Sequence, residues 1–177
     1  DRGWPGPSAP APAAGSPTPA NRCLIAGSAL DVAKLERALE AASTAGAGAF
    51  AVDAIRERGT LVQFGQPADD RTLAQCDSRA NVITINERLR GRSSSVLAAH
   101  LAHEGTHVAI AAPRPLDRGS IDEEYQCRVA QDEVWSALKG NEEDGDCDAN
   151  SRLVAAGERY AKEKLRSIPG YADLPEY

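Results

Sequence analysis

The chain contains no methionine, even at position 1, and only three histidines among its 177 residues. The missing methionine is expected of a processed or trimmed form of a longer product. No stretch approaches the roughly eighteen consecutive apolar residues that a membrane-crossing helix needs, so no span is expected. Positive charge is in deficit: 20 Lys and Arg against 26 Asp and Glu leave a net charge of −6. That balance argues against nucleic acid or an anionic membrane surface as the main partner. No two of Cys23, Cys76, Cys127 and Cys147 form a C-x-x-C pair, so a cysteine-based zinc site is not expected. Internal repeats are also missing, which sets aside solenoids and arrays.

What is present begins with an unusual start. Six of the eleven prolines fall in the first twenty residues, with almost no aliphatic side chains and no periodicity. Such a segment buries too little surface to fold, so residues 1–22 read as a disordered Pro/Ala-rich tether. A tether of this kind often follows a removed export signal or a lipid anchor. Together with the even cysteine count, it places the protein outside the cytoplasm, where four cysteines allow two disulfides. Residues 23–177 have the length and apolar content for one compact domain.

Within that domain the pattern is α+β and mostly helical. Val32, Leu35, Ala38 and Leu39 share one face of a helix over 31–40 that starts near Ser28 or Ala29, and Gly46 and Gly48 break it. A second short helix covers 50–56. Strands are expected at 60–65 and, most clearly, at 81–86, whose Val82-Ile83-Thr84-Ile85 core is β-branched. A helix opened by Ser120, with Glu123 three residues on in capping-box style, runs to Gly140. Residues 141–150 form an acidic loop and 149–168 a last helix. The loop spaces oxygen side chains two apart from Asp144, but Ala149 and Ala155 stand where a calcium-binding EF-hand loop needs Gly and Glu, so it reads as a solvated turn.

The most informative residues are His103-Glu104-Gly105-Thr106-His107, the pattern H-E-x-x-H. With three His and thirteen Glu in the chain, chance supplies roughly 0.004 such matches, so accident is a poor explanation. Ser93-Ser94-Ser95 offers capping hydroxyls, Val96 to Ala102 and Val108 to Ala112 are strong helix formers, and Pro113 and Pro115 stop the run. On a helix, residues four apart stack one turn above another, so both imidazoles reach one ion. Zn²⁺ suits two imidazoles and a carboxylate with one position open, and Glu104 stands next to the first ligand as general base. Gly105 is the weak spot, about 1 kcal/mol poorer than Ala in helix propensity.

The third ligand has to come from elsewhere. A further histidine in the pattern x-x-G-x-x-H would need Gly at 110 and His at 113, but Ile110 and Pro113 stand there. The next helix carries Glu123 and Glu124, and a short turn makes it antiparallel to the motif helix, so either carboxylate can converge with His107.

Here the sequence resembles the glutamate-liganded zincins, the gluzincin metallopeptidases, and above all their smallest members, the minigluzincin-like domains. The resemblance covers roughly residues 60–138. It implies a zincin-like fold, one Zn²⁺ per chain, and hydrolysis of a peptide or protein substrate. Relatives often show E-x-x-A on the second helix, and Glu124-Tyr125-Gln126-Cys127 fits that frame with Cys127 as the small residue. The implied ligands are therefore His103, His107 and Glu124. Several gluzincins carry an acid four residues after the ligand to orient a histidine, whereas this chain has Arg128, which leaves Asp122 or Asp132 to serve. The resemblance also implies that 81–86 is the sheet's edge strand, holding substrate by strand addition. Tyr125, Tyr160, Tyr171 and His100 are candidate oxyanion donors. Two rival readings are a zincin-fold domain that keeps its metal as a non-catalytic binding or regulatory module, and an extracellular interaction module in which metal is incidental.

Overall fold

A computed structural model describes residues 24–111 and 119–176. The tether at 1–22, Cys23, and the proline turn with Pro113 and Pro115 lie outside the described residues. Among the described residues the fold is α+β, with a small mixed sheet and six α-helices.

The first helix, α1 (Ala29–Ala42), starts where its cap dictates. The Asp31 N–H donates to Ser28 Oγ at 3.2 Å, and the Ser28 N–H donates back to the Asp31 carboxylate at 3.2 Å, a reciprocal capping box. The next helix, α2 (Gly46–Glu57), begins earlier than its apolar pattern suggests. Gly48 does not break a helix but sits inside this one, at a close crossing. A Cβ there would lie 2.1 Å from the Ala42 carbonyl oxygen and 2.8 Å from Val134 Cγ2.

Four strands follow from two that the sequence pattern reveals. The expected pair are β2 (Leu61–Gly65) and β4 (Val82–Asn86); β1 (Leu24–Ala26) and β3 (Ala74–Asp77) add one strand to each side. The order is β1-β2-β4-β3, parallel except that β3 runs antiparallel to β4, with Cys76 opposite Ile83. The expectation that 81–86 forms the edge is therefore wrong: β4 is interior, paired on both sides, and β3 is the outer strand. Alternation explains the error. Ile83 and Ile85 are fully buried on one face, which an interior strand and an edge strand over a core share alike.

Helix α3 (Ser94–Ala111) carries the motif through the middle of the fold. Ser93 Oγ accepts from the Val96 N–H at 3.2 Å and caps it. Twelve of its eighteen residues are buried, and it packs against α1, α2, β3 and α4 (Ile121–Leu138). Leu97 and Leu101 meet Leu35 and Leu39 of α1, Ile55 of α2, and the inner face of the sheet in one apolar core. Burial of this helix on several sides fits its weak amphipathicity.

The C-terminal region differs from the expected loop and single helix. Helix α5 (Gly145–Ala155) begins inside the acidic stretch, because Asp144 accepts from the N–H groups of Asp146 and Cys147 at 3.1 Å each. Asp146 and Asp148 then occupy its first turn, where the helix dipole favours negative charge. Gly157, with φ at 94°, separates α5 from α6 (Glu158–Arg166). The segment beyond α6 returns to the opening of α4, where the Ile121 N–H donates to the Pro175 carbonyl at 3.0 Å.

Candidate metal centre

His103 and His107 project from the same side of α3 with ring centroids 5.1 Å apart. Facing them is the first turn of α4, started by Ser120, whose Oγ accepts from the Glu123 N–H at 3.0 Å. That start point places the two adjacent carboxylates differently. Glu124 reaches His107 Nε2 at 3.3 Å with one oxygen and His103 Nε2 at 3.7 Å with the other. Glu123 reaches round to His107 Nδ1 at 2.7 Å. The cap fixes where the helix begins, and about 100° of helical rotation per residue sends the neighbouring side chains to opposite ends of one imidazole.

These distances suit a bound cation. Donors about 2.0–2.1 Å from a tetrahedral ion stand roughly 3.3–3.4 Å from one another. The buried Glu124 Oε2 has no hydrogen-bond partner, which is costly unless a cation completes it. Glu123 accepting from Nδ1–H fixes the His107 tautomer that presents Nε2, as metal-bound imidazoles generally require. Sequence reasoning weighed Glu123 as a rival ligand and proposed Asp122 or Asp132 for this orienting task. Instead Asp122 pairs with Lys162, and Asp132 takes hydroxyls from Ser136 and Ser151.

The electrostatics point the same way. Burial would lower the His107 pKa, but Cys127 and the two carboxylates outweigh it and hold the group well above its usual value. The pocket thus favours positive charge at this ring. His103 behaves oppositely: burial, with Arg128 adding to it, holds it well below its usual value and keeps it neutral. Gln131 lies beside His103, although His103 Nδ1 has no hydrogen-bond partner. Glu104 is 6 % exposed, and burial pushes its carboxyl up to about 7, with His107 opposing and Glu124 reinforcing.

His103, Glu104, His107, Glu123 and Glu124 line a cleft of about 850 Å³, walled on one side by β3 and on the other by the segment around Tyr171. Of the four oxyanion candidates, Tyr171 and His100 line this cleft. Tyr125 lies beneath Lys162, and Tyr160 is half exposed on the outer face of α6. His100, one turn before His103, is buried neutral, with burial pulling its pKa down to about 4.

Two cysteines at the site were not anticipated as functional. Cys127 offers its sulfur within 4.8 Å of a nitrogen of each motif histidine. Cys76 brings its backbone N–H near Glu104 from β3. Spacing could have flagged Cys127 and Gln131, which lie three and seven residues beyond Glu124 on one helix face. Nothing local could have flagged Cys76, in a strand the pattern does not reveal. Cys76, Cys127 and Cys147 are all free thiols, so the expected pair of disulfides is not formed by them.

No family model, curated protein sequence or solved structure matches this chain.

Proposed function

We propose that the protein is a zinc-dependent metallopeptidase of the gluzincin type, with a zincin-like fold and Glu104 as its general base. The observation that carries this reading is the approach of the two Glu124 carboxylate oxygens to His107 Nε2 and His103 Nε2, at 3.3 and 3.7 Å, beside Glu104 in one cleft. When bound, Zn²⁺ polarises the scissile carbonyl and lowers the pKa of water toward about 7. Glu104 takes the proton of the attacking water and passes it to the leaving amine. Burial raises the Glu104 carboxyl above its ordinary range, a shift toward neutral that favours a group which both accepts and releases a proton. Tyr171 is the donor we assign to the developing oxyanion. An extended peptide lies along β3, whose outer side has no strand neighbour among the described residues. Location outside the cytoplasm keeps the N-terminal sequence as its support.

The test compares wild type with Glu104→Gln for zinc content by mass spectrometry and for cleavage of casein. One zinc in each, with cleavage by wild type only, is the expected result. No zinc in wild type would overturn the reading. The second reading, a metal-binding module without catalysis, is favoured by one observation, the extra donor at Cys127. Zinc without cleavage in wild type and in Cys127→Ala would select it.

A further inference from the structure

The described cysteines have contrasting surroundings. Cys147 packs with Val96, Ala99 and Trp135 in an apolar cluster, the ordinary fate of a buried thiol. Cys127 is equally buried, at 0 % exposure, yet belongs to neither apolar cluster. It sits one helical turn after Glu124 and faces the imidazoles, its sulfur within 4.8 Å of a nitrogen of both His103 and His107. A second observation concerns the same imidazoles: Glu124 Oε2 is buried without a hydrogen-bond partner, 3.7 Å from His103 Nε2.

Resting on the metallopeptidase reading, we propose that Cys127 is a fourth protein donor to the ion, and that its thiolate closes most resting sites and leaves wild type with only part of its capacity to cleave. Donor count supports this. His103, His107 and Glu124 leave a tetrahedral ion one position short, the arrangement of catalytic zinc, whereas a thiolate in addition fills it, the arrangement of structural zinc. Charge agrees as well. Two neutral imidazoles, one carboxylate and one thiolate balance a divalent cation, the neutral sum that a buried site favours. A thiolate further biases the site toward Zn²⁺ over hard ions such as Mg²⁺ or Mn²⁺. Opening the site is then a simple exchange: the sulfur leaves the ion and takes up a proton, and a water molecule gains access beside Glu104. Latency therefore resides within α4 itself.

Cobalt(II), a spectroscopic stand-in for zinc, tests this on the full chain after chelation, under a reductant that is not itself a thiol. Wild type should bind one Co²⁺ with the intense near-ultraviolet thiolate-to-cobalt absorption. Cys127→Ala should lose that band and bind at least about tenfold more weakly, while Cys76→Ala keeps it. In zinc form, Cys127→Ala should cleave casein faster than wild type. Wild type that binds Co²⁺ without the band, or a band that survives in Cys127→Ala, overturns the inference and leaves the metallopeptidase reading standing. Wild type that binds no Co²⁺ overturns both.

Discussion

Gly105→Ala reverses the sign that sequence alone expects. Glycine inside a helix costs about 1 kcal/mol against alanine, so propensity predicts a stabilised variant. Packing opposes it. A Cβ at position 105 would stand 2.8 Å from Ala51 Cβ, 2.9 Å from the Ala51 carbonyl oxygen and 2.9 Å from Ile55 Cδ1. Ile55 can turn its terminal methyl aside, but Ala51 contributes a backbone atom and a Cβ that move only with α2. Carbon contacts normally settle at about 3.5–4.0 Å, so the helices must part by several tenths of an ångström to about 1 Å. Overpacking of this kind costs about 1–3 kcal/mol. With two of the three contacts rigid, the upper half of that range applies, and subtracting the propensity gain leaves a net loss of about 1–2 kcal/mol. The assay is urea unfolding of metal-free protein, read as a lower midpoint at unchanged slope. Because His103 and His107 flank the displaced residue, zinc affinity should fall too. A variant more stable than wild type would refute the reasoning, since it would mean that α2 and α3 do not meet at Gly105.

Other outcomes follow from the same geometry. Glu123→Ala removes the acceptor at His107 Nδ1 while leaving the three donors, so zinc affinity should fall about 10–100-fold in a chelator competition. Equal affinity would mean that Glu123 does not orient the ring. Zinc that binds only the folded chain should stabilise it by about 2.7 kcal/mol at a hundred times its dissociation constant. Thermal unfolding with zinc and with chelator reads this directly, and Glu104→Gln should keep the difference. His100 has a folded pKa of about 4, depressed by burial, with Arg128 reinforcing and Asp144 opposing. The unfolded chain then binds the proton better, so His100 leaves stability unchanged above about pH 6.5 and lowers it as pH falls toward 4. At about 1.36 kcal/mol per unit the loss is on the order of 3 kcal/mol. His100→Gln should flatten that acid limb in denaturant titrations, and an unchanged limb would place the sensitivity elsewhere.

Helical features were legible because their signals are local. Ser93, Ser28 and Ser120 mark three starts that the structure keeps within a residue or two, and the i, i+4 spacing alone brings His103 and His107 together. Strand order was not legible. Ala74-Gln75-Cys76-Asp77 has neither an apolar run nor β-branched residues, and it is a strand because β4 offers it a free edge. That dependence is tertiary, as is the identity of the edge itself. The acidic stretch failed for a related reason. Its composition fits a solvated turn, yet Asp144 is 3 % exposed, caps α5 and meets Arg92 at 3.2 Å. Spacing excluded a calcium loop, but it could not reveal a helix start hidden in a run of acids.

The pair Glu123-Glu124 shows where local reading ends. Both carboxylates lie in the first turn of α4, both are nearly buried, and both approach His107. Helical rotation guarantees that they diverge but not which one meets the ion, because that depends on how α4 is turned against α3. The turn is set at the two ends of the contact. Ser120 fixes the first residue of α4, and farther along Val134 packs into the core near Gly48 of α2. With that rotation, Glu124 falls on the side of the imidazole Nε2 atoms, and Glu123 falls beside His107 Nδ1. The proposed ligand Glu124 and its proposed orienting partner Glu123 are thus one consequence of one helix rotation, so a change that rolls α4 should exchange or abolish both roles together. Val134→Ala, by loosening the contact at Gly48, should weaken zinc binding although residue 134 lies more than two turns from Glu124. Loss of stability with zinc affinity unchanged would show instead that the first turn alone holds the site.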